Sequence, residues 1–182
     1  MVDRVRDLLR QVWNLNEEDG IRQSRNDPSD PQDDIVTLDA ARPMRLSPML
    51  RERYAFAGRW RKAALDQTWL DLNDIDAAVI ETCLDREAHA QSASRTLPWT
   101  ISKAQVTLFG INYDTREATY LIWLPDRGEP VICASYGGRS DLFGDLECFL
   151  EFLVGDRVHD DSVELAARKV TESAGMAFRQ PT

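Results

Sequence analysis

The stretch that decides the fold runs from residue 105 to residue 138 and reads QVTLFGINYDTREATYLIWLPDRGEPVICASYGG. It contains three runs rich in Val, Ile, Thr, Tyr and Trp, at 105–111, 118–124 and 129–135, and such residues favour strands. The segments between them are short and rich in Asn, Asp, Pro and Gly, which is typical of turns. Strands joined in this way pair antiparallel, so the stretch predicts a three-stranded meander that Gly137-Gly138 ends.

Helices are predicted on the C-terminal side of the meander. Residues 141–154 carry large apolar side chains at a spacing of three and four, which favours an amphipathic helix ending at Gly155. A last helix is expected from Asp161-Ser162 to Gly175, followed by a frayed tail. Together these elements predict an α+β fold with a central antiparallel sheet, a meander, flanked by helices.

The N-terminal part predicts one helix and one polar segment. Residues 3–14 place apolar side chains on one face, which indicates an amphipathic helix. Residues 16–31 are rich in Asn, Asp, Glu, Ser, Gly and Pro, and we interpret them as a loop or flexible linker. Residues 35–38 form a short strand or an anchor.

The segment between this linker and the meander is partly ambiguous. Ser47-Pro48 opens a helix that Gly58 ends, because Ser is a good N-cap and Pro suits the first helical position. The pattern of residues 65–72 favours no element, and 73–91 predicts a helix with a strand at 78–84 as the competing interpretation. We expect three parts: an N-terminal helix and polar linker at 1–40, an α+β domain at 41–158, and a C-terminal helix and tail at 159–182.

The charge of the chain bears on its partners. Of 182 residues, 29% are charged, the formal net charge is −9 and the pI is about 4.7. Phosphate backbones and anionic membrane surfaces repel such a chain, whereas a basic protein is attracted to it. No stretch approaches the ~20 apolar residues of a membrane span, and the first residues do not resemble a signal peptide, so we expect a cytoplasmic protein that binds neither nucleic acid nor membrane.

Motifs that carry chemistry are missing from the sequence. Neither of the two histidines has metal-ligand spacing with a cysteine, and the sequence holds no CxxC, HExxH, GxSxG or GxGxxG motif. The three cysteines are widely spaced and read as free thiols. Carboxylate runs such as 17–19 lack calcium-loop spacing and read as solvated surface. We therefore expect no catalytic residue, no metal site and no cofactor.

Several parts of the sequence resemble a known superfamily. Residues 46–59, LSPMLRERYAFAGR, resemble the opening helix of the SUKH superfamily, and 142–153, LFGDLECFLEFL, is similar to the helix that follows its last strand. Phe109-Gly110 and the hairpin 120–131 resemble its central meander. The resemblance covers roughly residues 45–155 and departs from the family pattern at Leu142, where the family has Ser, and across 60–104.

The resemblance implies a SUKH-like domain at 41–158 and a function in protein binding. Bacterial members look like immunity proteins that neutralise a toxin, often one acting on nucleic acid, by direct binding. The expected partner is thus a cognate toxin or an effector protein, with this chain a monomer or a homodimer. From expected exposure near turns and sheet ends, we predict contact residues: Trp60, Asp114, Glu117, Asp126, Glu129, Tyr136 and Asp141. A secretion chaperone for an effector and a regulatory protein-interaction scaffold are the alternatives.

Overall fold

The computed structural model describes residues 2–30, 32–81, 86–95, 97 and 101–155. Its main feature is a seven-stranded sheet in which every neighbouring pair is antiparallel, with the order β1-β4-β5-β6-β7-β8-β9. The strands of this sheet are β1 (Ser24–Arg25), β4 (Trp60–Ala64), β5 (Gln67–Trp69), β6 (Val106–Ile111), β7 (Ala118–Ile122), β8 (Val131–Tyr136) and β9 (Arg139–Phe143). A separate two-stranded sheet pairs β2 (Asp34–Ile35) with β3 (Met44–Arg45).

Helices pack on the sheet, which confirms the predicted α+β class. They are α1 (Val2–Glu18), α2 (Pro48–Phe56), α3 (Ile75–Glu81), α4 (Arg86–Arg95) and α5 (Leu146–Leu153), and a short 3₁₀ helix at Lys103–Gln105 precedes β6. Helices α1, α2 and α5 contact one another and cover one face of the sheet. On the opposite face, His89 of α4 contacts the ring of Tyr120 in β7.

The core beneath α1, α2 and α5 is built around tryptophan. Trp60 of β4 lies 5.7 Å from Trp13 and 5.3 Å from Trp69, measured between ring centroids. Trp69 in turn contacts Phe149 of α5 at 6.0 Å. Trp60 and Trp69 are completely buried, so they join the first helix, the sheet and the last described helix in one core.

The predicted meander is confirmed and continues further than expected. Strands β6, β7 and β8 occupy the three predicted runs. Gly137 and Gly138 do not end the sheet, because both have positive φ and form the two-residue turn that leads into β9. The helix predicted at 141–154 therefore starts later, at Leu146, where the Asp145 side chain accepts the Cys148 N–H at 2.9 Å and caps it.

The polar segment at 16–31 is not simply a loop. Helix α1 reaches Glu18, four residues beyond its predicted end. Gly20 follows with φ +70°, and the Ile21 N–H donates to the Asn16 carbonyl at 2.8 Å, which is a Schellman C-cap. Ser24–Arg25 then pairs with β4 as the edge strand β1.

Other predictions in the first half fare differently. Helix α2 is confirmed, with the Ser47 side chain accepting the Leu50 N–H at 3.4 Å. The helix predicted across 73–91 is confirmed in type but appears as the two helices α3 and α4. The helix predicted at 161–175 lies outside the described residues. Within the described part of the chain, no helix is both long and apolar enough to cross a bilayer.

Candidate functional site

Three turns of the large sheet and the end of α1 gather at one end of the molecule, which we call the hairpin end. The turns are residues 65–66 between β4 and β5, 112–117 between β6 and β7, and 137–138 between β8 and β9. Because neighbouring strands run in opposite directions, every second connection lies at the same end of the sheet, so these three turns are neighbours. The last turn of α1 and the cap that follows it, residues 16–22, join these turns because Asn16 donates from Nδ2 to the Ala63 carbonyl at 2.8 Å.

Hydrogen bonds tie the turns of the hairpin end together. Asn112 donates from Nδ2 to Asp66 Oδ2 at 3.3 Å, which links the first two turns. Glu117 accepts the Gly138 N–H at Oε1 at 2.8 Å, which links the second and the third. Asn112 also accepts the Asp114 N–H at 2.9 Å, so its own turn is braced from within. The hairpin end is therefore an ordered surface.

Left-handed backbone conformations concentrate at this end. Nine described residues have positive φ, and seven of them belong to the hairpin end or to β4 beside it: Gly20, Lys62, Leu65, Asp66, Arg116, Gly137 and Gly138. A non-glycine residue in this conformation costs of order 1–3 kcal/mol, and such residues cluster at functional sites. Leu65 at φ +54° is the most unusual, because a leucine has no local hydrogen bond with which to offset that cost.

A recess of about 290 Å³ opens between the end of α1 and the β4–β5 hairpin. Its walls include Asn16, Ile21, Lys62, Ala64, Leu65 and Asp66. Ile21 is 41% exposed and Leu65 is only partly buried, so apolar carbon faces solvent here. We call this feature the hairpin-end recess.

Three exposed acids directly follow Asn16, which is a residue of the recess wall. Glu17, Glu18 and Asp19 are exposed at the C-terminal end of α1, and none of them forms an ion pair within the described residues. The last turn of α1 has no basic residue, although a helix C-terminus favours cations. Two cations, Arg22 and Lys62, line the recess itself, and Lys62 is paired with Asp66.

Four of the seven predicted contact residues lie at or beside the hairpin end. Asp114 is exposed there, as predicted. Glu117 is half-buried and serves the turns, because its carboxylate accepts the Gly138 N–H and the Thr115 hydroxyl. Tyr136 and Asp141 flank the Gly137–Gly138 turn on the face toward α5.

Tyr136 and Asp141 form a closed cluster with Arg139. The Tyr136 hydroxyl donates to Asp141, and the Arg139 guanidinium lies 4.7 Å above the Tyr136 ring. Burial, followed by the hydrogen bond to Asp141, raises the pKa of Tyr136 to about 12. The Asp141 side chain is only 14% exposed, so it is not the free surface acid that the sequence suggested.

Asp126 and Glu129 lie at the opposite end of the sheet, in the connection between β7 and β8. Asp126 is exposed there with φ +60°. Glu129 accepts the Met49 N–H at 3.0 Å, so its carboxylate caps the start of α2. Burial, the largest cause, raises the pKa of Glu129. The seven predicted residues therefore do not form one face, because the sheet separates these two acids from the hairpin end.

Trp60 was predicted at the surface, and this prediction was wrong. Its side chain is completely buried, and its Nε1 donates to Gln23 Oε1 at 3.1 Å. The charged neighbours Arg59 and Arg61 misled the interpretation. In a strand, adjacent side chains point to opposite faces, so charged neighbours are compatible with a buried residue between them.

Groups with catalytic potential are dispersed in the described part of the chain. No three His, Cys, Asp or Glu side chains there are placed to hold a metal ion. His89 is buried between α4 and the sheet, and its Nδ1 lies 2.9 Å from the Tyr120 hydroxyl. Cys133 is buried and Cys148 half-buried, and the two are not joined by a disulfide.

The residues that sequence reasoning missed are Ile21 and Leu65. A signal for Ile21 was present, because Gly20-Ile21 after an amphipathic helix fits a Schellman cap with an apolar residue behind the glycine. Leu65 had no such signal, since Leu-Asp is not a turn-forming pair.

Comparisons with protein-family models, with characterised proteins and with solved structures found no match.

Proposed function

We propose that this chain is an immunity protein that neutralises a cognate bacterial toxin, one acting on nucleic acid, by binding over its active site. The observation that carries the proposal is the hairpin end: an ordered surface with an apolar recess among exposed acids. Toxins that bind nucleic acid present basic surfaces, and the net charge of −9 favours encounter with such a surface. The resemblance of residues 45–155 to the SUKH superfamily supports the same function.

The mechanism is occlusion. Exposed carboxylates of the hairpin end, among them Asp114, take the positions that substrate phosphates occupy on the toxin. Apolar contact at the recess adds affinity that does not depend on salt. A stable complex of this kind buries roughly 1,200–2,000 Å² in total, so the contact extends beyond the recess itself. This chain supplies charge and shape, and it performs no chemical step.

The test begins with a pull-down from the native host, followed by purified components. A basic toxin domain that binds in a 1:1 ratio is expected, and its nuclease or deaminase activity should fall to background when one equivalent of this chain is added. Asp114→Lys should weaken the inhibition, whereas the matched reversal Asp126→Lys, an exposed acid at the opposite end, should leave it intact. A basic toxin that binds and stays active contradicts occlusion.

A secretion chaperone is the second candidate, and the net charge of −9 and the α+β fold are compatible with it. An effector with an extended N-terminal segment would then be the captured partner. A regulatory interaction scaffold predicts several partners and no loss of activity in any of them.

A further inference from the structure

We propose that the hairpin-end recess is a socket for one large apolar side chain of a protein partner, carried on a segment in which lysine or arginine flanks that side chain. The inference rests on the proposed function only in taking the partner to be a basic protein. It assigns the anchor point on this chain and the chemistry of the partner segment. Neither assignment follows from overall charge.

The size of the recess selects a side chain rather than a free small molecule. Its volume of about 290 Å³ lies at the lower limit of small-molecule pockets, which span roughly 300–1,000 Å³. The recess is open to solvent on one side, as a docking anchor requires. Ile21 and Leu65 supply apolar carbon, and the hydrogen bond from Asn16 to Ala63 holds the two walls together.

The conformation of Leu65 is the second argument. The β4–β5 hairpin pairs Ala64 with Gln67, so the turn consists of two residues, Leu65 and Asp66, and both adopt positive φ. Asn-Gly is the usual pair in such a turn, because neither residue is strained there. Here the first position is a leucine whose side chain is only partly buried. Part of this side chain packs against the core, and the exposed remainder lines the recess, where it offers apolar contact to a partner.

The charge around the recess decides the flanking chemistry. Glu17, Glu18 and Asp19 are exposed at the C-terminal end of α1, where the helix dipole already favours a cation. Of the two cations that line the recess, Lys62 is paired with Asp66, so the three acids outnumber the remaining cation, Arg22. A lysine or arginine beside the partner's apolar side chain therefore meets uncompensated negative charge. An acidic flank would be repelled.

The test uses the full chain and defined peptides. The probe is acetyl-Lys-Arg-Trp-Arg-Lys-amide, compared with the same peptide carrying Ser for Trp and with acetyl-Glu-Asp-Trp-Asp-Glu-amide. We expect saturable binding of the first peptide by NMR titration, with amide shifts concentrated at 15–22 and 62–66. The other two should bind at least tenfold more weakly. Absence of saturation, or shifts centred elsewhere, overturns the inference.

Variants separate an anchor from a structural role. Leu65→Gly relieves the positive φ and loses the contacts of a partly buried side chain, so the unfolding midpoint should change little while the probe binds about tenfold more weakly. Ile21→Ser should weaken it similarly, and the matched control Ile80→Ser, at an isoleucine of α3 that is 78% exposed and outside the recess, should not. If Leu65→Gly, Ile21→Ser and Ile80→Ser bind the probe with equal affinity, the socket is refuted.

Charge reversals test the preference of the recess for a basic segment. Reversal of Glu17, Glu18 and Asp19 to lysine should abolish the preference for the basic peptide, whereas reversal of Asp30, Asp34 and Asp126, which changes the net charge equally, should retain it. A toxin that is neutralised equally well by Ile21→Ser and Leu65→Gly would leave the immunity function standing and refute the socket. If the probe binds at the recess and no toxin partner is found, the socket stands and the immunity function is refuted.

Discussion

Replacing the buried arginine of α2 should destabilise this fold more than any other single charge removal in that helix. The Arg53 side chain is 1% exposed, and its guanidinium donates to three carbonyl groups: Ala57 at 2.6 Å, Gly58 at 2.8 Å and Leu70 at 3.1 Å. It also lies 4.4 Å above the Tyr54 ring. Among the described residues no carboxylate bonds to it directly, and burial lowers the pKa of Arg53. One side chain therefore connects the end of α2 to the residue that follows β5.

The size of the effect follows from those three bonds. A hydrogen bond to a charged group contributes about 1.5–3 kcal/mol, so the three together exceed the several kcal/mol that burying the cation costs. Arg53→Met removes the charge and its cost, but it leaves three buried carbonyl oxygens without this donor. We expect a loss of about 3–5 kcal/mol in the free energy of unfolding. With a urea dependence of roughly 2 kcal/mol per molar, the midpoint falls by roughly 1.5–2.5 M.

The assay is urea unfolding followed by tryptophan fluorescence, since the buried ring of Trp69 lies 5.9 Å from this guanidinium and the buried Trp60 packs on Trp69. Arg51→Met is the matched control, because Arg51 lies on the same helix and forms an exposed pair with Asp33 at 3.1 Å. Exposed pairs contribute about 0–1 kcal/mol, so the control should stay within that range. Equal midpoints for the two variants would refute the reasoning.

Two further predictions concern close packing and pH. Gly110→Ala places a Cβ 2.9 Å from Trp69 Cδ1 and should cost about 1–3 kcal/mol in urea unfolding, whereas Gly128→Ala, with nothing within 4 Å, should be nearly neutral; equal costs would refute the packing argument. Burial raises the pKa of Glu129, so the folded state favours its protonated carboxyl. The stabilisation from this protonated form is fully present below the unfolded pKa of about 4.3 and is lost as the pH rises through the folded pKa. Glu129→Gln, which keeps an acceptor for the Met49 N–H, should therefore gain stability relative to the wild type between pH 4 and pH 7; an unchanged difference in urea midpoint would contradict this.

Long periodic segments were predictable from the sequence, and short strands were not. Strands β6, β7 and β8 have five or six residues each, and α2 begins with Ser-Pro, so each carries its own local signal. Strand β1 has two residues and β5 has three, which is too short for an alternation to appear. Their conformation is imposed by pairing with β4 and β6, and that information lies elsewhere in the chain.

The start of α5 was misplaced for a physical reason. Leu142 and Phe143 fit the helical spacing of the residues that follow, and both are buried. They are buried as the last residues of β9, and the helix begins only after the Asp145 cap. Apolar residues at the junction of a strand and a helix satisfy both periods, so burial alone does not identify the element.

The candidate site was predictable in its charge but not in its geometry. Acids near turns were expected at the surface, and Asp114 and Asp126 are exposed. Glu129 and Asp141 instead bond to other parts of the fold, to the start of α2 and to the Tyr136 hydroxyl. Their partners are 80 and 5 residues away in sequence, and only the first separation requires the tertiary fold to be known.

The strain in the β4–β5 hairpin is sustained by a polar side chain beneath the sheet. Gln67 is completely buried directly after the turn, and its Nε2 donates to the Ser135 carbonyl at 2.8 Å while its Oε1 accepts the Thr119 hydroxyl at 2.8 Å. This side chain thus spans from β5 to β8, and the missing Cβ of Gly110 leaves the room it needs. Because Gln67 fixes the register of β5, the turn before it has no freedom to lengthen, and Leu65 must adopt positive φ. The surface that we propose as an anchor is therefore held in place by hydrogen bonds in the core, and a partner meets it already formed.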